Sequence, residues 1–194
     1  MSRLPVAVLI SGAGSNMAAL IDAGQAPDAA YEVVLVVSNR PDAGGLHVAE
    51  AKGVRAVTVD HKTYGADREA HERSIDALLV EAGVERIALA GYMRLLTPWL
   101  VNRWQGRMLN IHPSLLPLYP GLDTHARAIA AGDAEAGCTV HLVTEGVDEG
   151  PILGQARVPV LAKDSPASLA ERVRTAEHRL YPQVLNQVCR RAKV

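Results

Sequence analysis

Val6-Ala7-Val8-Leu9-Ile10-Ser11-Gly12-Ala13-Gly14-Ser15-Asn16 decides the fold. Five apolar residues in a row fit a strand buried on both faces, as in a parallel sheet. The glycines then break the run, and helical spacing begins at Ser15. Further strands are expected over 33–37, 56–59, 86–90 and 107–111. Helices are expected over 15–23, 45–51 and 67–82. Alternating strands and helices imply right-handed crossovers and a doubly wound α/β fold. Residues 138–143 and 153–160 read as later strands that run against the others. A long last helix is expected up to 188, with Ser165 as its cap and Pro166 in its first turn. The expectation is one mostly parallel twisted sheet of about seven strands with helices on both faces. Its first half is Rossmann-like. The chain, 1–194, reads as one domain, with a phosphate-binding lobe over about 1–95 and a second lobe over about 96–194.

The loop after the first strand has chemistry of its own. Glycines let the backbone approach an anion, and the helix amino terminus offers unpaired N–H groups and a positive dipole end. A dinucleotide fingerprint needs a third glycine where Met17 stands. It also needs an acid after the second strand, where the chain reads Ser38-Asn39-Arg40. A single phosphomonoester suits the loop better. The alternative is a tight turn with Ser15 as a helix cap and nothing bound.

Composition narrows the class. Of 194 residues 48% are hydrophobic, enough for a core, and Phe is absent, so Leu, Val, Ile and Ala must fill it. A net charge of -1 gives no general footprint for nucleic acid. Two cysteines are too few for a disulfide framework. The start carries too short an apolar run for a signal peptide, and no stretch approaches the roughly 20 apolar residues of a membrane helix. These features predict a soluble, cytoplasmic chain. Small-molecule substrates are expected, and a monomer or homodimer.

The stretch from 110 to 121, Asn-Ile-His-Pro-Ser-Leu-Leu-Pro-Leu-Tyr-Pro-Gly, holds the reacting groups. Asn110 and His112 are two apart and share one face of a strand. Pro113 ends that strand, so both lie at its carboxyl end, where open α/β sheets bind ligands. An amide beside an imidazole suits acyl transfer: one polarises a carbonyl oxygen, the other moves a proton. Asp148 lies in a glycine-bracketed loop after a later strand, and its carboxylate would favour protonated His112. Each residue alone has a plainer reading: a structural histidine, a capping asparagine, a solvated turn aspartate. A metal would need other spacings than those of His112, His125 and His141. No metal is expected.

The chain resembles the folate-dependent formyltransferases. The residues that carry this are Asn110-x-His112-Pro113-Ser114-Leu115-Leu116-Pro117 and the later Gly146-Val147-Asp148-Glu149-Gly150-Pro151. Ser11 to Asn16 and Gly91-Tyr92-Met93-Arg94-Leu95-Leu96 narrow it to the branch that formylates glycinamide ribonucleotide in purine synthesis. The similarity runs from about Val6 to Tyr181. The resemblance implies transfer of a formyl group from 10-formyltetrahydrofolate, a co-substrate, to the primary amine of glycinamide ribonucleotide. It implies that Asn110, His112 and Asp148 are catalytic and that Gly14, Ser15 and Asn16 hold the phosphate. Glu177 would hold the ribose hydroxyls; otherwise it reads as an exposed helix residue. Met93, Arg94, Leu95 and Leu96 would line the pterin site, with Val143 and Val147 closing over it and Arg68 at the folate tail. Without the resemblance, 93–96 reads as a helix start in the core, and Arg68 as a solvated charge.

Two positions depart from the family's commonest pattern: Leu118, where many relatives carry a basic residue, and Asp123, where some carry His. Within the family, a tRNA formyltransferase would need a basic extension, and a formyltetrahydrofolate deformylase usually carries a preceding regulatory domain. Neither is expected here. Outside it, an NADP-binding oxidoreductase would use Arg40 for the 2′-phosphate, and a nucleotide sensor would leave Asn110, His112 and Asp148 without a role.

Overall fold

A computed structural model describes residues 3–192. Seven strands form one sheet: β1 (Leu4–Ile10), β2 (Tyr31–Ser38), β3 (Arg55–Thr58), β4 (Arg86–Leu89), β5 (Met108–His112), β6 (Glu135–Leu142) and β7 (Ile152–Pro159). Their order is β3-β2-β1-β4-β5-β6-β7. The first five pair in parallel. β6 is antiparallel to β5, and β7 is antiparallel to β6. Of the two late strands, only β6 therefore runs against the rest. β7 reverses again and rejoins the common direction, a correction to the sequence expectation.

Six helices cover the sheet: α1 (Ser15–Gly24), α2 (Gly45–Ala51), α3 (Arg68–Glu81), α4 (Pro98–Arg103), α5 (Thr124–Ala131) and α6 (Pro166–Arg191). The period of two along β1 shows why both faces need cover. Val6, Val8 and Ile10 join the core under α1, α2, α5 and α6. Ala7 and Leu9 join the opposite core, with Ile75 and Leu79 of α3 and Leu100 of α4. In α6, Leu169, Val173, Glu177, Tyr181, Leu185 and Cys189 repeat every four residues and are buried. Glu177 is the one charged residue in that stripe. Its start is as expected: the Ser165 hydroxyl accepts from Ser168 N–H in a capping box.

Ile87 of β4 pairs with Met108 of β5, so one sheet continues across the expected lobe boundary near 95. α4 and α5 were not expected; six and eight residues give little helical periodicity to read. The strand order reverses between β1 and β4, the place where open α/β sheets bind ligands at the carboxyl ends of their strands. The loops after β1, β4 and β5 all lie along that edge.

Candidate active site

The glycine loop follows β1. Gly14 is the amino-terminal cap of α1, with a left-handed φ of 72° and no side-chain cap bond. Ser15 is inside the helix, so the expectation that it could cap the turn is not met. A Cβ on Gly14 would sit 3.0 Å from Met17 Cε and 3.1 Å from Gly45 Cα. Gly45 is tighter still: its Cβ would lie 2.6 Å from Ile10 Cδ1, while its N–H donates to the Gly12 carbonyl at 3.0 Å. The start of α2 thus fixes the loop, and the start of α1 is left open to an anion.

Asn16 joins this loop to α6. Its Nδ2 donates to Glu177 Oε2 at 2.8 Å, and its Oδ1 is buried without a hydrogen-bond partner among the described residues. Glu177 is buried, against its reading as an exposed helix residue. Burial raises its carboxyl above the ordinary range, outweighing the Asn16 bond and the Arg174 charge that oppose it. Burial, then the charge of Glu177, pushes the neighbouring Cys138 thiol up to about 12, so it is no nucleophile at neutral pH.

The segment after β4 is irregular from 91 to 97, and α4 starts only at Pro98. The reading of 93–96 as a helix start therefore fails. Met93 is 70% exposed and Leu95 63%, while Arg94 and Leu96 are half-buried. Both ends of the segment are tied down. Met93 N–H donates to Ser11 Oγ at 2.8 Å, and Ser11 donates to Asn39 Oδ1 at 2.5 Å. Thr97 N–H donates to Glu72 Oε1 at 2.8 Å, and the Thr97 hydroxyl donates to Glu72 Oε2. Arg68, the first residue of α3, donates to the Leu95 carbonyl at 3.5 Å. Val143 and Leu96 pack against the same core, and Val147 is 51% exposed. The result is an apolar, part-open wall with fixed backbone groups.

At the end of β5 the expected residues meet. His112 Nδ1 is 3.3 Å from Asp148 Oδ2, and its Nε2 is 2.9 Å from the Tyr119 carbonyl. Both ring nitrogens thus face oxygen atoms. Gly121 N–H also donates to Asp148 Oδ2, at 3.0 Å. Burial alone would raise the Asp148 carboxyl. The bonds with His141 and Gly121 and the charges of His112 and His141 outweigh it, and the group sits below its usual range.

His141 completes the group, and the sequence reading gave it no part beyond a metal. It faces Asn110 across β5 and β6. Its Nδ1 is 2.9 Å from the Leu142 carbonyl, which makes Nδ1 the donor. Nε2 is 3.3 Å from Asn110 Nδ2 and 3.6 Å from Asp148 Oδ1. An amide nitrogen carries two hydrogens, so Asn110 keeps one for a ligand. Asp148 Oδ1 has no closer partner than His141, so it is the freer acceptor of the carboxylate.

The three positive-φ residues other than glycine, among the described residues, are Tyr119, Asp123 and Asp148, with φ of 54°, 57° and 57°. All lie in the loops around this group, where strain often collects. Leu118, at 52% exposure, leaves no charge at its position. Asp123 caps α5 with no side-chain bond. Arg40, the candidate for a 2′-phosphate, is held bidentate by Asp42, at 3.0 and 2.7 Å. Among the described residues, no group of three or more His, Cys, Asp or Glu is placed to hold a metal ion. No helix there is long and apolar enough to cross a membrane.

An amide, two imidazoles and a carboxylate at the strand ends of an α/β sheet, on the same edge as an open helix terminus, are groups suited to acyl transfer. The formyl transferase family model matches residues 4–185, and the chain belongs to that family. A crystal structure of phosphoribosylglycinamide formyltransferase from Brucella melitensis is similar with a TM-score of 0.93 and 54% identity, over 97% of this chain and 96% of that one. The phosphoribosylglycinamide formyltransferase of Escherichia coli is 44% identical over 93% of this chain and 85% of its own length. The trifunctional purine biosynthetic protein adenosine-3 of Drosophila melanogaster is 48% identical over 94% of this chain. The chain spans 14% of that relative's length and 18% of its Gallus gallus counterpart.

Proposed function

We propose that this chain transfers a formyl group from 10-formyltetrahydrofolate to the primary amine of glycinamide ribonucleotide, a step of purine synthesis. The observation that carries the reading is the meeting of Asn110, His112, His141 and Asp148 at the end of β5, on the sheet edge that also carries the glycine loop and the 93–96 segment. Gly14, Ser15 and Asn16 hold the phosphate on the open turn of α1, and Glu177, set by Asn16, takes the ribose hydroxyls. Met93 to Leu96, Val143 and Val147 take the pterin, and Arg68 the folate tail. These groups fit a flat heterocycle: exposed apolar side chains beside backbone held at Met93 and Thr97.

In this mechanism the amine nitrogen attacks the formyl carbon directly. The carbonyl oxygen gains charge and takes the spare hydrogen of Asn110. His112, held beside Asp148, turns an Nδ1 hydrogen toward the same oxygen. Asp148 Oδ1 takes the proton of the attacking amine, directly or through water, and it returns to the departing folate nitrogen. No covalent enzyme intermediate and no metal take part. The whole sheet acts as one domain, on small molecules in the cytoplasm, as a monomer or homodimer.

The test is formyl transfer measured with and without the ribonucleotide. Release of tetrahydrofolate should need the ribonucleotide and yield its formylated amide in equal amount. Equal release without it would overturn the reading in favour of hydrolysis.

A further inference from the structure

We propose that Tyr119 is a positioning residue whose hydroxyl bond to Asp133 aims its own carbonyl at His112; the claim that this serves turnover rests on the formyl-transfer reading. The stretch Tyr119-Pro120-Gly121 reaches both halves of the His112–Asp148 pair from its two ends. The Tyr119 carbonyl accepts from His112 Nε2 at 2.9 Å, and Gly121 N–H donates to Asp148 Oδ2 at 3.0 Å. Such a clamp sets the ring plane, the ring protons and the carboxylate rotamer together.

The clamp does not hold itself. Tyr119 has φ 54°, an uncommon conformation for a side chain of that size. It persists only where surroundings over-determine it. Two contacts do so. The Tyr119 hydroxyl donates to Asp133 Oδ2 at 2.6 Å. Arg127 lies over the Tyr119 ring at 5.1 Å and donates to the Pro120 carbonyl at 2.7 Å. Asp133 is itself fixed. Gly132 ends α5 in the left-handed conformation, and Asp133 N–H donates to the Ala128 carbonyl at 3.2 Å. The chain of support runs from the end of α5 through a phenol to a backbone carbonyl, and from there to the imidazole. Around His112 the other titratable groups are His125 at the start of α5 and His141 through Asp148.

The experiment compares wild type with Tyr119→Phe, Asp133→Ala, Asp133→Asn and the Tyr119→Phe/Asp133→Ala pair. Turnover and both Michaelis constants are measured against pH, and the His112 ring is followed by 15N NMR in ligand-free protein. Misplacing a reacting group by a fraction of an ångström to 1 Å costs about 10- to 100-fold. Tyr119→Phe and Asp133→Ala should each lower kcat by about tenfold. Both Michaelis constants should stay within about twofold of wild type. The double variant should be no worse than either single one, since both remove one bond. Asp133→Asn keeps an oxygen acceptor and should retain most activity. The His112 nitrogen shifts should change with Tyr119→Phe and not with Asp133→Asn. Unchanged nitrogen shifts in Tyr119→Phe, or losses that add in the double variant, overturn the proposal. A wild-type protein with no formyl transfer would overturn the reaction instead, and the nitrogen shifts would still decide the role of Tyr119.

Discussion

Asn16 and Glu177 are 161 positions apart in sequence and 2.8 Å apart in space. That bond joins the first turn of α1 to the middle of the buried stripe of α6. A carboxylate in such a stripe is costly unless it is used. Its carboxyl is raised, by burial first. For an acid, a folded value above the unfolded one means that folding favours the protonated form. The cost is therefore present above the folded value and vanishes as pH falls below the unfolded value, about 4.3.

Glu177→Gln should follow that sign. An amide oxygen still accepts from Asn16, but no charge is desolvated. The variant should have a higher Tm than wild type at pH 8, with the gap closing toward pH 4. Affinity for the ribonucleotide should fall, by about tenfold or more for one charge-assisted bond. Thermal melts across pH and titration with ribonucleotide check both halves. A gap that widens toward acid would reverse the assignment of Glu177 as a raised acid.

Gly14→Ala tests the phosphate loop. The left-handed φ costs a side chain about 1 kcal/mol, and Met17 and Gly45 crowd the new methyl. The loop should shift and loosen its grip on the phosphate. Ribonucleotide affinity should drop severalfold while folate affinity holds. Separate titrations of each ligand decide it, and equal losses for both would point to a collapsed turn.

Much of this was open to reading in the chain itself. The run from Val6 to Ile10 alternates between two cores, so burial on both faces leaves a continuous apolar signal. Asn110 and His112 sit two apart in β5, a spacing that local geometry alone resolves. His141 was hidden for the opposite reason. Its place beside Asn110 depends on the antiparallel register of β5 and β6, two strands with a long connection between them, and neither strand shows that pairing alone. Tyr119 was hidden because it acts through its backbone carbonyl, which any residue possesses. The burial of Glu177 was legible in principle from the four-residue repeat of α6, where it stands in line with Val173 and Tyr181.

Asn110→Ala should cost turnover about 10² to 10³, the range for one lost oxyanion donor, with little change in either Michaelis constant. His112→Ala should cost about 10² to 10⁴. His141→Ala leaves the Asn110 amide in place but unheld, so its loss should be smaller than that of Asn110→Ala. Steady-state kinetics on the three folded variants orders them. A His141 variant as slow as the Asn110 variant would make His141 more than a support for the amide.

Asp148→Asn separates charge from shape. Asparagine tolerates the left-handed φ of 57° and can still accept from Gly121 N–H, so the loop keeps its form. What is lost is a charged acceptor between two imidazoles. The Asp148 carboxyl is lowered: burial opposes this, but the His141 and Gly121 bonds and the imidazole charges prevail. A depressed acid contributes stability that is present above its unfolded value, about 3.9, and is lost as pH falls through the folded value. Wild type should therefore melt above Asp148→Asn near pH 6, and the gap should shrink as pH drops below about 4. Turnover should fall by about 10² or more near neutrality, because an amide cannot take the amine proton. It should not recover in alkali, where a remaining base of the right strength would have to be found elsewhere. Melts from pH 3 to 8 and turnover from pH 6 to 9 provide the measurements. A melting gap that is the same at every pH would mean that Asp148 contributes by shape, and its part in the reaction would then have to be the ordering of the loop alone.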